Sequence, residues 1–389
     1  MKKIITECTR VSFIGAMLTA FMLIAPVAHA EKLEPGPRSL TLERTFDRMN
    51  LPTQNISLWA RESGGYDTDN RALWGRNSWV CKSSSSSAHG KCNTSPVWYA
   101  SGTTTIPLLF IEKRSGMRVE LNLTGYLEKN AHTTGCGWGG HYQVYGAAAV
   151  GCKNGAADET YAESALTVYI PASELKKIPV GGLWEASLYM QLMQWDPKKS
   201  LGDWNAWITL KVIDPDHVDI YFPTFGTASP LMELNLQPKG APDGNAWASD
   251  YTLLDMCLYD GYNVNSTRYD VLIKDEGAPA PGRKSGDFSL YRDGATKGPE
   301  VDRIDFHLKM KSPQSGSMID VVNNEGMTWN DINQDYIRPV RLPSITAPVL
   351  CAPAPLAFIV DKFNVMDKSA GHYTGKVTVV FTPTLPTVD

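Results

Sequence analysis

The sequence predicts an all-β protein of two β-sandwich domains in tandem, and three observations predict it. First, apolar residues alternate with polar ones. Met117, Val119, Leu121 and Leu123 interleave with Arg118, Glu120, Asn122 and Thr124, and the same period returns at Leu166, Val168, Ile170 and at Ile304, Phe306, Leu308, Met310. A side chain on one face at every second residue marks a half-buried strand, and Gly, Pro, Asn and Asp clusters separate these runs. Second, a chain of 389 residues with 43% hydrophobic content is too long for one ordinary core and suits two. Third, composition changes near residue 215: residues 31–214 carry a net charge of +1 and residues 215–389 a net of −7, and nine of the eleven tryptophans precede the change.

The chain opens with a targeting signal. Lys2, Lys3 and Arg10 form a basic stretch, residues 11–27 are largely apolar, and Ala28-His29-Ala30 is a small-x-small cleavage site. Nothing after it approaches the ~18 consecutive apolar residues of a membrane span. The expected mature chain is exported and soluble, with the signal peptide at 1–30. An N-terminal domain follows at 31–214, all strand except for one helical turn at 173–178. Asp214-Pro215-Asp216-His217 carries turn chemistry between alternating runs and sets the domain boundary there, at 215–217. The C-terminal domain, 218–389, opens with Val218, Ile220 and Phe222 on one face of its first strand. It closes with Val377, Val379 and Phe381 on one face of its last.

Cys8 leaves with the signal, and six cysteines remain. An even count in an oxidising compartment reads as three disulfides, with connectivity left open by the sequence. Pairing neighbours gives Cys81–Cys92, Cys136–Cys152 and Cys257–Cys351, each inside one predicted domain. No spacing is CxxC, and the chain has seven histidines without a dense Cys/His tract, so neither a metal nor another cofactor is expected. A net charge of −4 argues against a nucleic-acid partner. No GxSxG, HExxH or GxxxxGK[ST] motif is present, and no spacing singles out a carboxylate pair such as Asp255 and Asp260 for glycan hydrolysis. The chain reads as a non-enzyme.

One charge pattern stands out. Arg71, Arg76, Lys82, Lys91, Lys113, Arg114 and Arg118 share their stretch with a single acid, Glu112, and with Trp74, Trp79 and Trp98. Guanidinium groups fork carboxylates and sulfates while indole faces stack on sugars, so bases beside aromatics suit an acidic glycan. The competing reading is a solvated face over core tryptophans.

Four segments carry a family resemblance: YIPASELKKIPVGGLW at 169–184, LLDMCLYDGYNVNS at 253–266, LPSITAPVLC at 342–351 and AGHYTGKVTVVFTP at 370–383. In this order they resemble the class 5 fimbrial tip subunits, the minor pilins and adhesins of the CFA/I and cable pilus type, also called pilus biogenesis initiators. The resemblance implies immunoglobulin-like sandwiches: an adhesin domain followed by a pilin domain that lacks its last strand. The partners it implies are a periplasmic chaperone, an outer-membrane usher, a major pilin subunit whose donor strand completes the sheet, and a host-surface receptor. Completion by an added strand is β-augmentation. Val218, Ile220, Phe222, Val377, Val379 and Phe381 are then the residues expected to flank the open groove. The prolines of Thr382-Pro383-Thr384-Leu385-Pro386 forbid a further hydrogen-bonded strand. Since the N-terminus leads into a whole domain, such a chain accepts a strand without donating one, which puts it outside the cell at the fibre tip.

Arg76 matches a family arginine. After the GGxW motif, however, this chain has Met193-Gln194-Trp195 where enteric members carry bases, with Lys198 and Lys199 only beyond. The candidate receptor residues are therefore Arg76, Arg114, Arg118 and Trp195. Two alternatives accompany the adhesive reading: an assembly initiator without receptor binding and, more remotely, a secreted glycan hydrolase.

Overall fold

The computed structural model describes residues 32–70, 73–130, 132, 137–147, 163–241 and 246–389. The first half contributes β1 (Arg38–Asp47), β2 (Ile56–Ser63), β3 (Asn77–Cys81), β4 (Thr104–Glu112), β5 (Arg118–Asn130), β6 (Glu163–Ile170), β7 (Gly182–Trp195) and β8 (Lys198–Ile213). They form one sheet in the order β1-β8-β7-β4-β5-β6-β2, with β3 added along the far end of β7. Strands β7 and β4 share only the pairs Trp184↔Glu112 and Glu185↔Ile111. The sheet folds over at that corner, and its two wings bury their alternate residues against each other.

The period-two runs supply that core. Leu121, Leu123, Leu166, Val168, Ile170, Leu210 and Val212 are fully buried, and so are Trp79, Trp184 and Trp204. Trp204 meets Trp79 edge-on at 5.0 Å and lies 5.6 Å from Trp59. Trp59, Trp79, Trp184 and Trp204 therefore build structure, and truncating one of them to alanine costs about 3–5 kcal/mol. The expected helical turn is a 3-10 helix at Ala172–Lys177, where Leu175 is buried and Glu174 accepts from the Asn122 N–H at 2.7 Å.

The second half contributes β9 (Asp219–Tyr221), β10 (Trp247–Leu254), β11 (Cys257–Tyr259), β12 (Arg268–Asp275), β13 (Phe288–Arg292), β14 (Arg303–Lys311), β15 (Met318–Val321), β16 (Gly326–Asn330), β17 (Arg338–Val340), β18 (Val349–Pro353), β19 (Leu356–Asn364) and β20 (Val377–Pro383). They are arranged in three sheets: β9-β11-β18-β17, then β10-β19-β14-β13 with β15 on β14, and β16-β12-β20. Their shared core holds Phe288, Phe306 and Phe358 in offset stacks 5.7 and 5.8 Å apart, with Ile304, Leu308 and Met310 beside them. Disulfides join Cys81 to Cys92 and Cys257 to Cys351, one in each half. The Cys136–Cys152 pair and the signal at 1–30 lie outside the described residues.

Between the halves, Pro215–His217 forms a single 3-10 turn, and both apolar and polar side chains meet around it. Tyr259, Leu342, Ile345 and Val349 of the second half pack into the first core. The Glu112 carboxylate, fully buried, accepts from the Ser115 hydroxyl at 2.6 Å, from the N–H of Ser115, Arg114 and Leu183, and across the junction from the amides of Asn263 at 2.8 Å and Asn265 at 3.1 Å. A buried carboxylate is tolerated only when donors surround it in this way. Gly181 is required here, since a Cβ would lie 2.2 Å from the Gly261 carbonyl oxygen.

Candidate functional site

Two places combine exposure with unusual chemistry. The first is the end of the first sandwich that lies farthest from the junction. There β3 pairs with the end of β7, from Cys81↔Met190 to Asn77↔Gln194, so Arg76 emerges beside Trp195. The Trp195 main-chain N–H donates to the Arg76 carbonyl at 2.9 Å. The Arg76 guanidinium donates to Asp196 at 2.6 Å and sits 5.9 Å from the Trp195 ring. Trp98 meets Trp195 edge-on at 5.6 Å and Tyr99 meets Trp98 at 5.5 Å. Trp98 is 55% exposed and Tyr99 64%. These rings present an apolar platform of edge-to-face aromatics with a cation at its margin, while the Trp195 indole N–H is buried without an acceptor among the described residues.

Arg114 and Arg118 do not join this platform. Arg114 donates to Asn265 at 3.0 Å at the junction, and Arg118 opens β5 opposite Ile111. On β7, the junction-side pair Trp184↔Glu112 and the far-end pair Gln194↔Asn77 are ten residues apart, roughly 33 Å of strand. The β4–β5 hairpin runs the length of the sandwich, so bases close in sequence end at opposite poles. Tyr99 and Asp196 were not among the predicted site residues, and Trp98 figured only as one of the tryptophans interleaved with the bases. The available signal was an adjacent Trp-Tyr pair outside any alternating run.

The second place is an apolar groove in the second half. One edge of β20 pairs with β12, from Tyr269↔Pro383 to Asp275↔Val377, and its other edge has no strand among the described residues. Beside that edge lies a cavity of about 290 Å³ with Ile220, Phe222, Phe306, Phe358, Val377 and Val379 in its lining. Four of the six predicted groove residues are thus brought together. Val218 instead faces the Gly261 loop at the junction, and Phe381 packs edge-on against Tyr269 at 5.0 Å.

The far wall also differs from the expectation that the first strand would form it. Strand β9 is short and pairs with β11, and the chain turns after Phe222, whose carbonyl accepts from the N–H of Phe225 and Gly226. It then re-extends, and residues 229–234 line the groove. Met232, Leu234 and Leu236 turn onto the second core, while Leu231 at the groove mouth is 83% exposed. This wall forms no ladder among the described residues; its side chains hold it, with the Asn235 N–H donating to Asp250 at 3.2 Å. The alternation in LMELNLQ at 231–237 was the signal that could have found it. No group of three or more His, Cys, Asp or Glu that could hold a metal ion occurs among the described residues.

Known proteins share this architecture. Residues 27–215 match the family of CfaE first domains and residues 218–385 match the family of CfaE second domains, CfaE being a fimbrial protein of the CFA/I type. The CFA/I protein of this kind from Escherichia coli is 30% identical over 327 residues, covering 81% of this chain and 82% of that one. The crystal structure of CfaE, the adhesive subunit of CFA/I fimbria of enterotoxigenic Escherichia coli, superposes with a TM-score of 0.76 at 25% identity, over 92% of this chain and 96% of that one. A chaperone–tip adhesin complex of CFA/I fimbriae shares the fold with a TM-score of 0.62 at 24% identity, over 91% of this chain and 98% of that one.

Proposed function

Because the chain belongs to the CfaE family of CFA/I fimbrial proteins, we propose that it is the adhesive subunit at the tip of a chaperone-usher fimbrium, with one pole for the host and the other for the fibre. The observation that carries this reading is the free edge of β20 over an apolar floor. An open edge of that kind is a template for another chain. An incoming strand with alternate apolar residues, from a periplasmic chaperone and then from the major pilin, lies between β20 and residues 229–237. Its main chain bonds to β20 and its side chains fill the cavity. Domain limits at 31–214 and 218–389, joined through Pro215–His217, fit this division of labour.

The receptor face is the platform of Trp98, Tyr99 and Trp195 with Arg76. Asp196 already neutralises part of the Arg76 charge, so stacking on a sugar face supplies most of the contact, and Arg76 and Lys198 orient an acidic group. No catalytic role is assigned to the chain. Expression with and without its chaperone tests the fibre pole. The free chain is expected to be poorly soluble and the co-expressed chain to form a soluble one-to-one complex, which Val379→Asp should prevent. A free chain that is monomeric and heat-stable, with no uptake of any pilin strand, would refute the open-sandwich reading. Charge reversal at Arg76 tests the host pole: loss of cell adhesion with an unchanged fold is expected, whereas unchanged adhesion would leave a purely structural initiator.

A further inference from the structure

A buried amine lies beneath the proposed receptor face, and nothing in adhesion or assembly uses it. Lys129, on β5, is 1% exposed. Its Nζ donates to the Ser164 hydroxyl at 2.8 Å, and that hydroxyl donates to the Asn77 carbonyl at 3.2 Å. Asn77 opens β3, directly after Arg76, whose own carbonyl holds the Trp195 main-chain N–H. The Asn77 side chain is fully buried; its amide N–H donates to the Gly64 carbonyl at 2.9 Å, while its Oδ1 has no donor among the described residues. The lysine thus stands under the start of β3 with one neutral acceptor among those residues, where an ammonium would need about three.

Among the described residues, the charged groups on the surrounding elements are engaged elsewhere. Glu128 on β5 pairs with Arg61, Glu163 on β6 with His132, Glu62 on β2 with Arg38, and Arg76 with Asp196. His141, on the neighbouring Gly139–Tyr142 strand, stacks on Tyr126. Burial is the one cause acting on the Lys129 amine, and it pulls the pKa from 10.5 down to about 7.

We propose that Lys129 makes the far end of the first sandwich pH-sensitive: with its amine neutral the end is closed, and uptake of a proton in the interior loosens β3 and the strand end that carries Trp195. A charged amine must find acceptors or water. A buried acceptor without a donor among the described residues, the Asn77 Oδ1, sits on the residue that Lys129 reaches through the Ser164 hydroxyl, so solvating the charge disturbs the residue next to Arg76. The sign follows from linkage. Between about pH 7 and 10.5 the unfolded chain holds a proton that the folded chain lacks, so stability rises with pH across that window. Below it the penalty is complete. The consequence for adhesion rests on the receptor-face reading; the fold's response does not, so the two can fail separately.

Amide hydrogen exchange on the full mature chain tests the device, read at residues 77–81 and 190–195 at pH 5.5 and 8.5 after correction for intrinsic rates. Protection in the wild type should fall about tenfold or more at the lower pH. Lys129→Met, with Lys129→Gln as a second variant, should abolish that difference, and His132→Gln should keep it. The thermal midpoint should rise between pH 7 and 9 in the wild type and stay level in both Lys129 variants. A pH slope unchanged by either Lys129 variant, or abolished by His132→Gln, would overturn the proposal.

Discussion

In the first sandwich, β1 runs parallel to β8 from Arg38↔Trp204 to Asp47↔Ile213, and its inward Leu42 and Phe46 are 6% and 2% exposed. In the second, β20 has β12 on one side and no strand on the other among the described residues, and its Val377, Val379 and Phe381 are only partly buried. Both terminal strands have the same alternating pattern. The difference is that the first sandwich closes its edge with a segment of its own chain, while the corresponding stretch of the second, residues 229–237, touches the core through side chains and builds no ladder. A segment that pairs in this way within the first sandwich is not free to serve a neighbour. The edge left open is the one where free energy of association is still available.

The largest expected effect separates the two halves by their covalent links. Replacing Cys257 and Cys351 by alanine, at a sequence separation of 94, should cost about 4–5 kcal/mol, against about 3 kcal/mol for Cys81 and Cys92 at a separation of 11. Urea unfolding of the two variants checks this, and equal losses would show that loop length does not set the contribution here. Glu112→Ala comes next. It strands the donors of Ser115, Asn263 and Asn265 and should cost about 3 kcal/mol. Calorimetry should then resolve two transitions where the wild type is expected to give one; a single unsplit transition would mean the apolar contact alone couples the halves.

Alanine at matched edge positions sharpens the comparison further. Leu42→Ala should cost about 2–4 kcal/mol, because the site is already closed. Val379→Ala should cost about 1 kcal/mol in the free chain and more once a pilin strand is bound, because the side chain is then taken out of water. Similar losses in the free chain would contradict the open edge. The smallest effect on stability belongs to Trp98→Ala, within about 0.5 kcal/mol, since the ring is already mostly in solvent. Its effect on cell adhesion should nonetheless be large, and adhesion surviving in Trp98→Ala and Arg76→Glu together would remove the platform as the receptor face.

Much of the fold was legible because period two is a local property. The run at 304–310 becomes β14 and the run at 166–170 becomes part of β6 because alternate Cβ atoms must point to opposite faces whatever the neighbours are. The Cys81–Cys92 and Cys257–Cys351 links followed from neighbour pairing. The site was less legible. Arg76 and Trp195 come together through the register of β3 on β7, which no local pattern encodes. Arg114 and Arg118 were grouped with Arg76 by sequence distance alone, and a hairpin about 30 Å long carried them to the other pole. Lys129 gave no sign at all, because it lies in an alternating strand where a lysine reads as solvent-facing.

The sequence by itself determined that the chain is mostly β, that its composition changes near residue 215, and that its last strand has an apolar face. Those properties follow from side-chain alternation, composition and turn chemistry, which act over a few residues. Only the tertiary structure decided which edges close. Whether an apolar face is a core or a groove depends on a strand that comes from the same chain or from another, and nothing within the strand specifies its neighbour. The same holds for Trp98: an indole buried in a wedge and an indole laid out as a platform are one residue in the sequence, and only the packing around it tells them apart.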